Sequence, residues 1–261
     1  MKKILVVLFA LMLALAMVAC GNDGANDDTT ADTAADTVVD TAADTEADTA
    51  ADTGADTVKV MTYAEFAAAE LETPVVIETY VQAKQSWWDN KATIYTQDQD
   101  GGYFIYEMAC SEEDFAKLVA GTKIRVTGYK TAWAGEVEIA SGATFEIIEG
   151  ADAYIAEPVD LTEVIATEDI INYQNQLASF KGMTVEAIEF KNGEPGDDIY
   201  VTLGLGGASY SFCVERYLTD PDSEVYTTVS ALEVGTVVDV EGFVYWYEGV
   251  NPHITAIQVA E

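Results

Sequence analysis

Basic residues are scarce in this chain. Its 261 residues include 12 Lys and Arg against 46 Asp and Glu, a formal net charge of −34. Holding nucleic acid by neutralising phosphates needs a basic stripe, and so few Lys and Arg do not supply one. Nucleic acid is therefore not an expected partner. Histidine occurs once, as His253, which excludes His-rich metal sites and His–His relays. Three cysteines cannot build a disulfide framework or a structural zinc site. Gly-x-Ser-x-Gly, Ser-x-x-Lys and His-Glu-x-x-His are all absent. Nothing names a catalytic residue, a metal ligand or a cofactor, and the expectation is a protein that is not an enzyme.

What is present begins with a targeting segment. Lys2 and Lys3 precede an apolar run from Ile4 to Ala19. That run is short for a spanning helix and leads into an acidic, loop-like stretch. Its end, Met17-Val18-Ala19-Cys20, resembles the bacterial lipobox. The resemblance implies a signal peptide over 1–19, cleavage before Cys20, and a diacylglyceryl thioether on that cysteine. Two acyl chains, at about 0.8 kcal/mol per buried methylene, hold a protein stably at a membrane. The implied location is the extracytoplasmic face of the cell membrane.

Residues 21–57 contain eleven acids and no Lys or Arg. A four-residue repeat places Asp at 32, 36, 40, 44, 48, 52 and 56. On a helix these carboxylates would stack at a repulsive i, i+4 spacing. With no aromatics to bury, residues 20–57 are expected to be a disordered, self-repelling spacer. A calcium-binding repeat would need glycine-bearing turns, which the repeat lacks.

The remaining 58–261 carries 35 acids and 10 bases. An internal echo divides it. Gly121-Thr122 and Gly128 recur as Gly235-Thr236 and Gly242, and Leu118 and Gly135 as Leu232 and Gly249, all at an offset of 114. Thr62 and Glu65 form a capping-box signature for a helix to about Leu71. Alternation predicts strands over 75–84, 91–97, 102–108, 122–130 and 136–148, with a helix over 111–119. The second unit is expected to have a helix over 167–177. Strands follow over 182–191, 198–205 and 208–216, then a helix over 223–232 and strands over 236–246 and 253–259. A helix between the third and fourth of five strands resembles the oligonucleotide/oligosaccharide-binding (OB) fold. The reading is two tandem OB-like five-stranded barrels, at 58–150 and 159–261, joined by 149–158. A pair of β-sandwich units is the alternative. Tandem OB-like units are similar to those of extracytoplasmic bacterial lipoproteins of unassigned function.

Aromatic residues carry the functional expectation. Trp87 and Trp88 fall between the first two strands, and Trp133 between the fourth and fifth. The OB resemblance implies that these loops flank a ligand face. Tyr80 and Tyr95 lie on the outward side of their strands, and Trp246 occupies the matching loop of the second unit. Such rings stack sugars, bases or peptide side chains, or they pair across strands for stability alone. The ligand expected is a glycan, a peptide or a protein, with the lipid on Cys20 adding the membrane as a partner. A hydrolase using a carboxylate pair and a single-strand nucleic-acid binder are the alternatives. Asp98-Gln99-Asp100-Gly101 reads as a tight turn rather than a Ca²⁺ loop, and Gly204–Gly207 as a hairpin rather than a phosphate cradle. Cys110 and Cys213 read as two buried thiols, and His253 as structural.

Overall fold

A computed structural model describes residues 59–260, so Cys20, the signal segment and the acidic repeat lie outside the described residues. Thr62 opens α1 (Tyr63–Ala68), accepting the Glu65 N–H while the Glu65 carboxylate takes the Thr62 N–H. Both halves of the capping box are therefore made. The first unit continues through β1 (Pro74–Lys84), β2 (Lys91–Gln97) and β3 (Gly102–Ala109) to α2 (Glu112–Lys117), which Ser111 caps. It ends with β4 (Lys123–Trp133), β5 (Glu136–Ile139) and β6 (Thr144–Ile147). Strand order is β1-β2-β3-β5-β4, and β4 pairs back onto β1 to close a barrel.

The second unit repeats the plan. After β7 (Val159–Asp160) and a 3₁₀ turn (Glu168–Tyr173) come β8 (Leu177–Phe190), β9 (Ile199–Leu205) and β10 (Ala208–Val214). Two helices follow, α3 (Arg216–Thr219) and α4 (Glu224–Ser230), then β11 (Val237–Phe243) and β12 (His253–Val259). The order is β8-β9-β10-β12-β11, closed by β11 on β8. In both barrels the third and fifth strands run parallel and the other barrel neighbours antiparallel, while β7 adds to β8 in parallel. The protein is mainly β, built of two closed OB-like barrels, and the sandwich alternative is not found. Among the described residues no helix is long and apolar enough to cross a membrane.

The sequence echo has a physical cause. Gly121 and Gly235 sit at positive φ, 87° and 93°, ahead of β4 and β11, where a side chain would be strained. Gly128 and Gly242 lie where those strands bend: a Cβ on Gly128 would meet Ile139, and one on Gly242 the carbonyl of His253. Leu118, at the end of α2, is fully buried in the first barrel beside Ile77, Ile94, Ile105 and Ile124. Burying such a side chain is worth about 1.5–3 kcal/mol.

Three local expectations differ from the structure. The strand expected over 136–148 is two strands, broken at Gly142, whose φ is 87°. The helix expected over 167–177 is the shorter 3₁₀ turn, and β8 begins at Leu177 rather than at 182. Lys181-Gly182 reads locally as a break. The strand instead runs through it, with Gly182 at φ 65° and its N–H on Asp239 Oδ1 at 2.7 Å. Helix α3 has no sequence counterpart among the expected elements.

A third apolar cluster joins the barrels. Tyr95 and Phe104, on the outer face of β2 and β3, pack against Phe243 with Leu177, Leu218 and Tyr245. Tyr95 and Phe243 stack at 4.3 Å with planes 6° apart. The seam is also hydrogen bonded: Gln97 Oε1 accepts the Leu177 N–H at 2.8 Å, and Ala134 O the Glu248 N–H at 2.7 Å.

Candidate functional site: two aromatic cavities beside the barrel seam

The turn after β1 fixes the first cavity. Asp89 and Asn90 take positive φ, 48° and 58°, which is the two-residue hairpin geometry that twists with its strands. Trp88 and Lys91 bridge across that turn. Trp87 turns inward and donates its indole N–H to Cys110 O at 3.0 Å. Trp88 points out, 74% exposed. Together with Tyr106 of β3 and Tyr217 of α3 they wall a cavity of about 510 Å³, whose polar groups include the Lys91–Glu107 ion pair (2.8 Å). Ser86 N–H on Tyr217 O, at 2.7 Å, holds the second barrel's contribution in place. The volume is that of a small-molecule or polymer-unit site.

The second cavity, about 600 Å³, opens beside the hairpin between β4 and β5. Ala134 and Gly135 make that turn at φ 50° and 94°. Trp133 stands at its base, 56% exposed, and packs against Tyr247 at 5.3 Å. Tyr200, Tyr245, Glu215 and Glu248 also line it.

A buried polar cluster also links the barrels. Glu136 has no exposure; its Oε2 accepts the Trp246 N–H at 2.8 Å and the Gln174 amide at 3.3 Å. Its Oε1 and the Oδ1 of Asn175 are buried without partners. Burial pushes the Glu136 carboxyl up to about 8, despite the donors that favour its charge. A neutral carboxyl is what two such acceptors call for, because its proton supplies a donor. Burial raises Glu138 and Glu215 to about 7 as well.

His253 is buried, hydrogen bonded through Nδ1 to Tyr95 OH at 3.0 Å and stacked on Tyr245 at 4.2 Å. Burial lowers it to about 4 and pushes the Cys213 thiol on the neighbouring strand upward. Both shifts oppose the thiolate–imidazolium pair of a cysteine nucleophile. Cys110 and Cys213 are free and buried. Among the described residues no group of three or more His, Cys, Asp or Glu is placed to hold a metal ion. Nine of the ten bases of 59–260 are engaged by acids or backbone carbonyls. Lys130, for example, gives all its hydrogen bonds to the carbonyls of Phe66, Ala67 and Ala69 at the end of α1.

The six residues expected to bind ligand do not converge. Trp87 and Trp88 share the first cavity, and Trp133 lines the second. Tyr95 is corrected: it does face outward from its barrel, but the second barrel covers it and leaves it no exposed surface. Tyr80 packs on Tyr154 at 5.3 Å and helps fasten the inter-barrel segment, which Gln82 also grips through Ala156 N–H at 2.9 Å. Trp246 packs on the second core and under Gly135, outside both cavities. Tyr106 and Tyr217 were not anticipated. The outward phase of β3 points to Tyr106, whereas Tyr217 rides on the short helix that sequence patterning misses.

No family model matches the chain, and no curated protein does. Solved structures do. A HINb domain is 11% identical over 73% of this chain and 98% of its own, with a TM-score of 0.32. A murine DNA-binding protein bound with double-stranded DNA is 11% identical over 72% and 95%, at 0.34. Asparaginyl-tRNA synthetase from Pyrococcus horikoshii is 17% identical over 33% of this chain, at 0.27, and the chain spans only 19% of that protein. The expectation that nucleic acid is not a partner is withdrawn; the similar structures include a protein solved on DNA. That expectation rested on the scarcity of Lys and Arg, and that count does not report what a stacking face can hold. Nothing more is drawn from likenesses at these scores; the fold rests on strand order and closure.

Proposed function

We propose that the protein is a non-catalytic binding module, tethered to the extracytoplasmic face of a membrane through lipid on Cys20. In this reading it captures a ring-bearing polymer, a glycan or an aromatic peptide, by stacking in the cavity of Trp87, Trp88, Tyr106 and Tyr217. The observation that carries this is the exposure of Trp88 at the tip of a rigid hairpin, opposite two further exposed rings. An indole held out in water by a fixed turn suits a partner that covers it. The mismatch of the Cys213 and His253 pKa shifts supports a role without nucleophilic chemistry.

A single strand of nucleic acid is the second reading. The same four rings favour it, because every base offers a π-face and stacking is worth about 1–3 kcal/mol per base. Lys91 is the base in that cavity's wall, and it is already paired with Glu107. Binding would then depend on stacking more than on phosphate neutralisation and would weaken little with salt.

Tryptophan-fluorescence titration of the full-length chain in non-ionic detergent tests both readings, with oligosaccharides, aromatic peptides and an oligothymidylate as probes. Trp88→Ala should weaken the bound probe by roughly ten- to a hundredfold, at about 1.4 kcal/mol per decade. Unchanged affinity in a folded variant would remove the cavity from consideration. The lipid tether is tested by cell fractionation of Cys20→Ser, which should release the protein from the membrane.

A further inference from the structure

The second cavity has acid and no base. Its lining contains neither Lys nor Arg, and its one imidazole, His253, is kept neutral by burial. Asp198 in its wall is already matched by Lys191 at 2.8 Å. Glu215 is not matched: Oε1 caps α3 through the Tyr217 N–H at 3.0 Å, while Oε2 is buried without a partner. Glu248, at the rim, has no ion pair among the described residues. Around these carboxyls stand Trp133, Tyr200, Tyr245 and Tyr247.

Aromatic faces are negative at their centres and attract cations, most strongly where water is excluded. A carboxylate within a few ångströms adds charge attraction, and a site of about 600 Å³ suits a small ligand. We propose that this cavity binds an organic cation, an alkylated ammonium group seated among Trp133, Tyr245 and Tyr247 and facing Glu215. A bare metal ion lacks the ligand set here, and a neutral sugar would bring no charge to a wall that has acids and no Lys or Arg. Burial and the neighbouring Asp198 push the Glu215 carboxyl up to about 7, with Lys191 and the backbone donors offsetting them only in part, and a cation bound beside it would favour its ionised form. Trp133 comes from the first barrel and every other wall residue named here from the second, so the site is complete only when the barrels are docked. The Glu248 N–H on Ala134 O, at 2.7 Å, locks the two hairpins that carry Trp133 and Tyr247. The site is separate from the Trp88 cavity and its ligand is of another class.

The test is calorimetric titration of the full-length chain, in non-ionic detergent, with three probes. They are choline, the uncharged isostere in which carbon replaces its nitrogen, and phosphocholine. Choline should bind, the isostere should bind about tenfold more weakly or worse, and phosphocholine should lose affinity because its phosphate meets Glu215 and Glu248. Trp133→Ala and Glu215→Gln should each weaken choline about tenfold, and Trp133→Phe, which keeps a ring, should recover most of the loss. Glu215→Gln keeps an oxygen for the α3 cap, and thermal melts confirm folding. No binding of choline at millimolar concentration, equal binding of the isostere or of phosphocholine, or unchanged affinity in folded Trp133→Ala would each overturn the proposal. Ring-polymer titration reads Trp88 and choline titration reads Trp133, so either functional reading can fail alone.

Discussion

The same dipeptide meets two fates in the two barrels. Ile94-Tyr95 lies in β2 and Ile199-Tyr200 in β9, with Ile94 and Ile199 each opposite the last residue of the preceding strand. Both isoleucines are fully buried in their own cores. Tyr95 is fully buried too, whereas Tyr200 is 39% exposed. The burial of whole strands follows suit: from Ala92 to Gln97 every residue of β2 is buried, while β9 alternates. One barrel has given its outer β2–β3 face to its neighbour. The other keeps that face open and lends it to a cavity. Duplicated architecture thus yields one docking surface and one candidate binding surface, and the difference lies in what is packed across the sheet.

The comparison can be broken first at its most buried point. Tyr95→Ala should cost about 3–5 kcal/mol, the range for deleting a large core ring. It should also split thermal unfolding into two transitions, because the seam loses its central stack. Calorimetry reads both effects, and a single transition shifted by under a degree would show that the barrels do not depend on this face.

A second lever is pH. Unfolded Glu136 gives up its proton near 4.5, but the fold holds it to about 8. Its cost is therefore absent below about 4.5, grows across 4.5–8 and is constant above. Glu138 and Glu215, at about 7, act in the same sense. His253, at about 4 in the fold against 6.5, acts oppositely: its contribution is complete above 6.5 and is lost as pH falls toward 4. Three carboxyls outweigh one imidazole, so stability should fall from about pH 4.5 to 8, most steeply between about 6.5 and 7, where all three carboxyls still titrate and His253 no longer offsets them. At about 1.4 kcal/mol per pKa unit, Glu136→Gln should gain a few kcal/mol at pH 8.5 and little at pH 4. A melting temperature of the variant that tracks wild type at every pH would show that Glu136 is ionised and solvated in the fold.

The smaller effects sharpen the contrast. Thr62→Ala removes the cap of α1 and should cost about 1 kcal/mol in chemical denaturation; in the Tyr95→Ala background it should lower the first barrel's transition alone. Tyr200→Ala, at the open counterpart of Tyr95, should stay within about 0.5 kcal/mol of wild type. A cost comparable to that of Tyr95→Ala would mean that Tyr200 is also covered in solution.

The order of strands, the caps at Thr62 and Ser111 and the echo of Gly121 and Gly128 at Gly235 and Gly242 were all written locally. Alternation sets which side of a sheet a residue takes, a cap needs only its own turn, and a left-handed or crowded backbone position demands glycine wherever it occurs. By the same logic the sequence alone placed Tyr80 and Tyr95 on outer faces and Trp88 and Trp133 at hairpin ends. It left β8 too short, since Lys181-Gly182 resembles a break until β11 is seen pairing across it. Tertiary structure alone decided which outer faces meet water. The seam buries Tyr95 under Phe243, brings Tyr217 of α3 to Trp88, and sets Trp133 beside Tyr247 and within the same cavity as Glu215. Periodicity fixes the side a side chain takes, but what lies opposite depends on residues about a hundred positions away, and no local pattern records them.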